Sequence, residues 1–315
     1  MGFLVRAPGT MSLLIDAGRP RSRSLGVPLG GPADRRSHAL GNALVGNSPN
    51  TTALEFALAG PTLEADDTHC CVVAGGSFDV LLNDKIVTIG KTVTVHPGDL
   101  LQVGTPSRGL RGYLCVHGGF VVPQILGSRS AWSPIQRGQR LQCLASQAIS
   151  RYAPDLRWLR EDAATLRVLP GQHARLFRSS EFWTWRFQVT GASDRMGLRL
   201  QGPPLEREPA ELLSAPVCPG TVQVTNDGQL VVLGVDAQTI GGYPRIAHVV
   251  RADLDLLAQL RPGDTVRLEL VGLDEAEQAD FAWRAELRDW TARLLASFPP
   301  TQRAATGSGA TAAVS

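Results

Sequence analysis

A mainly β fold, arranged as two related β-rich domains with a few helices, is predicted by three features of the chain. Short runs of β-forming residues recur between frequent turn residues, the 315-residue sequence holding 33 glycines and 21 prolines; many short strands with Gly/Pro turns mark barrels or sandwiches. Apolar residues at helical spacing occur in only three segments. A faint internal repeat runs through the chain in a fixed order: Asp34-Arg35 with Asp194-Arg195, Gly60-Pro61-Thr62-Leu63-Glu64 with Gly202-Pro203-Pro204-Leu205-Glu206, and Pro97-Gly98-Asp99 with Pro262-Gly263-Asp264.

The first helix is expected over Pro32–Val45, with Asp34, Arg35 and His38 on a polar side and Leu40, Ala43 and Leu44 turned inward. Strands follow at Cys71–Ala74, Phe78–Leu82, Ile86–Val95, Leu100–Val103 and Tyr113–Val116, and Asn83-Asp84 suits a tight hairpin turn. A Pro- and charge-bearing stretch, 150–164, joins the halves, and Pro154–Leu159 within it reads as a short helix. The second half repeats the pattern with strands at Thr165–Leu169, Phe187–Thr190, Thr221–Val224, Leu230–Val235 and Thr265–Val271. A helix over Ala252–Leu260 carries Asp253 in its first turn and Pro262-Gly263 after its end. The longest helix, Leu273–Phe298, has an irregular apolar stripe of Leu273, Ala276, Phe281, Trp283, Leu287, Trp290, Leu294 and Leu295. The Ala/Thr/Gly/Ser-rich end beyond it is expected to be disordered.

Composition narrows the function. A net charge of +2 with no long basic run argues against nucleic-acid binding. No run of about 18 apolar residues suggests a membrane span, and no basic-then-apolar leader opens the chain. Five irregularly spaced cysteines without a CxxC read as reduced thiols, Cys115 as a small core residue, and the protein as cytoplasmic. The six histidines form neither HxH nor HExxH, so no metal site is expected. Gly90-Lys91-Thr92 ends like a phosphate loop, but its flanks alternate like a strand, and a phosphate loop needs a helix start to aim its N–H groups. Neither Lys85 nor Lys91 lies between methionines, which excludes attached biotin.

Three arginine–carboxylate–amide constellations remain. The first holds Asp16, Arg19, Asp34 and Asn42 around the glycine-rich stretch 26–34; the second is Ser193–Gly197 with Arg195; the third is Asp236–Arg245, directly after an apolar strand. Polar groups at the end of a rigid strand are well placed for binding or catalysis, and arginine forks bind carboxylate-like anions bidentately. A turn fixed by an internal ion pair explains the same residues, and at Asp194-Arg195 it explains them slightly better. Gly241-Gly242 is expected to supply positive φ or close ligand approach.

Taken together these segments resemble the biotin-dependent carboxyltransferase family, specifically the second-subunit type of allophanate hydrolase and urea amidolyase, whose members include the C subunit of bacterial 5-oxoprolinase. The resemblance runs through Asp16–Arg19, Gly26–Asp34, 41–47, Leu54-Glu55, Gly60-Pro61, Arg111–Gly119, 126–130, Asp194–Leu200, Gly220–Val224, Gly228–Val250 and Gln259–Asp264. It implies two cyclophilin-like β-barrel domains (1–149 and 165–272) around the 150–164 linker, with the functional cleft between them, a C-terminal helix over 273–299 and a tail over 300–315. It implies a subunit of an ATP-dependent amide or lactam hydrolase complex, of the kind that opens 5-oxoproline to glutamate. ATP would act through the complex, and the partners would be a first-subunit homologue and a third, lactam-utilisation subunit. Within this reading Asp236, Gln238, Thr239 and Tyr243 are the candidate catalytic residues; Asp16, Arg19, Asp34, Asn42, Arg195, Gly241, Gly242 and Arg245 are the candidate substrate contacts. Two alternatives stay open: a carboxyltransferase taking carboxybiotin from a separate carrier to a urea-like substrate, and a regulatory binding partner of a first-subunit homologue. Ile15 and Ile240 depart from the family pattern, as does a shortened loop at 132–139.

Overall fold

The computed structural model describes residues 1–146, 150–153, 164–177, 181–208 and 211–297. The short helix expected at 154–159 and the tail expected at 300–315 lie outside the described residues.

The first domain contains β1 (Gly2–Ala7), β2 (Met11–Ile15), β3 (Ala53–Ala57), β4 (Thr62–Ala65), β5 (His69–Gly75), β6 (Phe78–Leu82), β7 (Lys85–Ile86), β8 (Val93–Val95), β9 (Leu100–Pro106), β10 (Arg111–Val116) and β11 (Arg140–Gln142). They form a six-stranded sheet, β11-β1-β4-β9-β6-β7, and a five-stranded sheet, β2-β3-β10-β5-β8. Period-2 alternation sorts each strand's side chains. One face of β3, β5 and β10 (Leu54, Phe56, Val73, Leu114, Val116) joins Phe3, Leu63 and Leu101 in the inter-sheet core. The opposite face (Ala53, Val72, Tyr113, Cys115) packs under α1 (Arg35–Leu44).

The second domain contains β12 (Ala164–Pro170), β13 (Arg186–Val189), β14 (Gly197–Gln201), β15 (Ala215–Pro216), β16 (Thr221–Val224), β17 (Leu230–Leu233), β18 (Ile240–Gly241), β19 (Arg245–Val249) and β20 (Thr265–Leu270). Seven of these close a barrel in the order β12-β19-β16-β17-β14-β13-β20, while β15 and β18 pair as a small ribbon outside it. Leu166, Phe187, Val222, Val232, Ile246 and Leu268 fill the barrel. After β19 a helical turn, Arg251–Asp253, leads into the short helix α2 (Leu254–Leu257). From there α3 (Leu273–Ala296) runs back over α1.

The mainly β fold with few helices is the one expected, and several local readings hold. Asn83 and Asp84 both have left-handed backbone (φ 49° and 63°) between the paired Leu82 and Lys85, a hairpin turn of the predicted kind. The repeated Pro-Gly-Asp turns share a geometry. Gly98 and Gly263 have φ of +86° and +92°; Asp99 and Asp264 each accept a hydrogen bond, at 2.8 Å, from the backbone N–H three residues earlier. The run expected as one strand over 86–95 is broken between β7 and β8, where Gly90 turns the chain with φ +76°.

Two helix readings change. His38 is buried, because α1 lies between the five-stranded sheet and α3 and has no solvent side there. On α3, Ala276 and Trp283 are buried and Leu287, Trp290 and Leu294 pack on the α1 cluster, whereas Leu273 and Phe281 are exposed. At about 100° per residue Phe281 sits roughly 200° round the helix from Trp283, on the solvent face.

Candidate functional site

Glu55 organises the ground between the two domains. It is a lone acid in the apolar strand Ala53–Ala57, and a buried carboxylate requires charge and hydrogen-bond partners. The second domain supplies one: the Arg195 Nη1 donates to Glu55 Oε1. The Oε2 accepts from the Ala33 N–H at 3.0 Å and from the Tyr113 hydroxyl at 2.8 Å. Tyr113 Oη in turn accepts from the Asp34 N–H at 2.9 Å. Burial would raise the Glu55 pKa, but Arg195 and Arg111 outweigh it and hold the carboxyl below its usual range. Burial, with Glu55 and Asp34 alongside, drives the Tyr113 hydroxyl well above its usual value, so it stays protonated and donates.

Arg195 is the hub of the interface. Its Nε donates to Asp236 Oδ2 at 2.6 Å and its Nη2 to Asp236 Oδ1 at 3.0 Å, a bidentate fork, and Nη2 also reaches the Gly31 carbonyl at 2.8 Å. Desolvation works against its charge, but Glu55 and Asp236 prevail and raise the guanidinium pKa further. A backbone bond, Gly30 N–H to the Val235 carbonyl at 2.9 Å, runs beside it.

Asp16 orders a neighbouring loop. Its Oδ1 accepts from the Gly18 N–H (3.0 Å), Ser128 Oγ (2.5 Å) and Ser130 Oγ (2.9 Å), and its Oδ2 from the Arg129 N–H (2.7 Å). Burial pushes its pKa up, but these donors prevail and lower it. Arg19 donates to the Ile125 carbonyl at 3.1 Å and the Ser130 carbonyl at 2.5 Å, with its guanidinium 4.2 Å from the Trp132 ring centroid.

Below the glycine-rich stretch, Asp34 caps α1 through the Ser37 N–H (2.9 Å) and accepts from Gln259 Nε2 at 2.6 Å. Burial first, then the Asp255 carboxylate, push the Asp34 pKa up to about 6 despite these donors. Gln259 closes its clip by accepting from the Leu110 and Arg111 N–H groups (2.9 and 3.0 Å) and donating to the Arg111 carbonyl (3.1 Å). On the flank, Arg35 bonds Asp255 at 3.0 Å and lies 4.3 Å from the Trp283 ring, whose Nε1 donates to Asp255 at 2.8 Å.

A cavity of about 780 Å³ opens between the domains. Its wall is mostly apolar (Met11, Leu58, Leu110, Leu198, Val232 and Leu257 among others), with Thr10, Ser193, Asp194 and the arginines Arg35, Arg111, Arg195 and Arg251 as polar members.

The predicted residues divide accordingly. Arg195 and Asp236 meet directly, and Arg19 lies within the electrostatic reach of both Asp236 and Asp16. Asp34 is fully buried and tied to protein partners. So is Asn42, which donates to the Thr51 carbonyl at 2.9 Å and accepts from Asn47 Nδ2 at 2.9 Å. Neither lines the cavity wall. Of the segment Val235–Arg245 only Val235 lines the cavity. Gln238 and Tyr243 are exposed, and Thr239 is buried with its carbonyl bonded to the Val217 N–H. Arg245 is held by the Pro216 carbonyl (3.2 Å) and Gln172 (2.6 Å). Neither Gly241 nor Gly242 has positive φ; a Cβ on Gly241 would sit 2.6 Å from Gln223 Nε2, so a larger residue there requires the Gln223 side chain to shift. Sequence reasoning leaves Glu55, Arg111, Tyr113 and Gln259 out of the candidate set. All four lie in segments that carry the family resemblance, and Glu55 offers a second signal as an acid in the middle of an apolar strand; Gln259 has no signal in residue type or spacing. Among the described residues no group of three or more His, Cys, Asp or Glu is placed to hold a metal, and no helix is long and apolar enough to cross a membrane.

A closed barrel and a pair of β-sheets are joined across a buried arginine–carboxylate hub beside a mostly apolar cavity. Residues 25–270 match the family described as carboxyltransferase domain, subdomain A and B, and the chain belongs to that family. It is 39% identical over 274 residues to the C subunit of 5-oxoprolinase from Haemophilus influenzae, covering 83% of this chain and 88% of the relative. Against the C subunit of the Escherichia coli 5-oxoprolinase the identity is 36% over 290 residues, with 88% and 93% covered. The crystal structure of Kluyveromyces lactis urea amidolyase superposes with a TM-score of 0.83 at 28% identity, covering 92% of this chain and 20% of that one. The chain thus spans about a fifth of that larger enzyme.

Proposed function

We propose that this chain is the C-type subunit of a 5-oxoprolinase, acting with partner subunits in ATP-dependent opening of the lactam of 5-oxoproline to glutamate. One observation carries the reading: two relatives of nearly the same length, both named as the C subunit of 5-oxoprolinase, match across most of the chain at 36–39% identity. The geometry is compatible with it. Attack on a lactam carbonyl moves negative charge onto its oxygen, and a pre-ordered, partly dehydrated cationic site stabilises that charge. Asp236, fixed by the Arg195 fork and partly exposed, is oriented to accept from a substrate amide N–H. Gln238 and Tyr243, exposed beyond it, would contact substrate or a partner subunit, with Thr239 as their buried anchor.

The Gly90-Lys91-Thr92 segment does not fit a nucleotide phosphate cradle. Gly90-Lys91-Thr92 lies in the turn before strand β8, with no helix N-terminus to aim N–H groups at a phosphate. ATP is therefore assigned to a partner subunit.

A second reading, carboxyl transfer from biotin on a separate carrier, is favoured by the family description and the likeness to urea amidolyase. The apolar cavity wall suits a ureido-ring head, which would supply an activated carboxyl group when bound. The two readings separate in one assay. The chain is co-purified with its first-subunit and lactam-utilisation partners, and ATP hydrolysis is measured with 5-oxoproline and with urea. Stimulation by 5-oxoproline alone is expected; stimulation by urea alone, dependent on a biotinylated carrier, would overturn the assignment.

A further inference from the structure

The arginines singled out from sequence for anion contact are already engaged. Arg195 spends its donors on Asp236, Glu55 and Gly31, Arg19 bonds Ile125 and Ser130, and Arg245 bonds Pro216 and Gln172. Arg111 is different. It lines the inter-domain cavity, its side chain is 7% exposed, and its buried Nε has no hydrogen-bond partner among the described residues. Its nearest charge is Glu55 Oε1, 3.6 Å from Nη1, and Arg195 already holds that oxygen. A buried guanidinium with unused donors carries a desolvation cost that an incoming acceptor would relieve. The Arg111 backbone is fixed on both sides by Gln259, so the side chain projects from a rigid strand.

We propose that Arg111 is the carboxylate-reading residue of the inter-domain cavity, which receives a small acid by its carboxylate while the apolar wall takes up its ring. The chemical class is a compact monocarboxylate with a neutral, largely apolar body; a lactam acid is the member that the proposed function supplies, and the inference rests on that reading for the ligand's identity. Leu58, Leu110, Val232 and Leu257 contribute the apolar wall, and Asp194 is the acid on the lining.

The test is a pair of ligands that differ only in the carboxylate. Binding of 5-oxoproline and of pyrrolidin-2-one to the full chain is measured by calorimetry, for the native protein and for Arg111→Gln and Arg111→Lys. Native protein is expected to bind 5-oxoproline about ten- to a hundredfold more tightly than pyrrolidin-2-one, the value of a charge-assisted hydrogen bond. Arg111→Gln abolishes that ratio, Arg111→Lys restores part of it, and both leave pyrrolidin-2-one binding unchanged. Thermal melts confirm that the variants fold. Equal affinities for the two ligands, a ratio that survives Arg111→Gln, or no binding of 5-oxoproline to the native chain would each overturn the assignment. Turnover by the assembled complex separates the two proposals. If 5-oxoproline is turned over with KM unaffected by Arg111→Gln, the subsite falls and the function stands. If Arg111-dependent binding is found without turnover, the function falls and the subsite stands.

Discussion

At the residue scale the molecule is governed by a few buried charges whose partners come from the other domain. Glu55 neutralises Arg195 at contact and Arg111 at 3.6 Å, so removing it leaves Arg111 buried without its counter-charge and Arg195 paired with Asp236 alone. Breaking a buried pair by deleting one member costs about 3–5 kcal/mol. Glu55→Ala is expected to lower stability by that amount in chemical denaturation, and Asp236→Asn, at the partly exposed end of the same fork, by clearly less. His38 sets a pH limit. Burial pushes its pKa down to about 4 from the ordinary 6.5, so the unfolded chain takes up a proton before the folded one does. Its contribution is complete above pH 6.5 and is lost as pH falls towards 4, amounting to at most about 3 kcal/mol. Asp34 acts in the opposite sense: its folded pKa near 6 lies above the unfolded value, so its contribution is present below pH 3.8 and lost as pH rises through 6. Comparing native protein with His38→Gln cancels the Asp34 effect. The variant is expected to lose less stability between pH 6.5 and 4, and parallel Tm profiles would refute this.

At the element scale α3 shows where a sequence pattern stops being sufficient. Its apolar residues include Trp283 and Phe281 alike, yet Trp283 packs against Arg35 and Asp255 while Phe281 is 73% exposed. Trp283→Ala is expected to cost about 3–5 kcal/mol in denaturant unfolding, through lost packing and a stranded Asp255. Phe281→Ser should stay within about 0.5 kcal/mol. The strands, the Asn83-Asp84 hairpin and the Pro-Gly-Asp turns were legible because each is decided by neighbouring residues. The site was legible only in part. Asp16, Arg19, Arg195 and Asp236 announce themselves as charged residues in glycine-rich loops, and the structure brings them near one another. Asp34 and Asn42 carry the same residue types, but their roles depend on what α1 packs against. Gln259 is marked only by the family resemblance and not by its own chemistry, since its work comes from the turn after α2 being carried over β10. Sequence also gives no means of telling a satisfied arginine from one with spare donors, which is the difference between Arg195 and Arg111.

At the scale of the whole molecule the two domains are bonded through their polar interiors as well as in apolar contact. Gly30 to Val235, Arg23 to the Val217 carbonyl, Arg195 to Glu55 and Gly31, Arg35 to Asp255, Gln259 to Asp34, and Arg261 to the Ser107 carbonyl all cross between them. All of these bonds would be broken together if one domain moved away from the other, so separation is penalised at many points at once. The native chain is therefore expected to unfold in a single calorimetric transition despite having two distinct hydrophobic cores. Gln259 is the most economical place to loosen this coupling, because one side chain satisfies two N–H groups, a carbonyl and the Asp34 carboxylate. Combining Gln259→Ala with Arg35→Ala removes bonds at two separate points while leaving both cores intact. Scanning calorimetry of that double variant should resolve two transitions, with the inter-domain cavity exposed between them. Two transitions in the native protein would show that the polar bridge does not couple the domains, and a single transition in the double variant would show that the remaining crossings suffice.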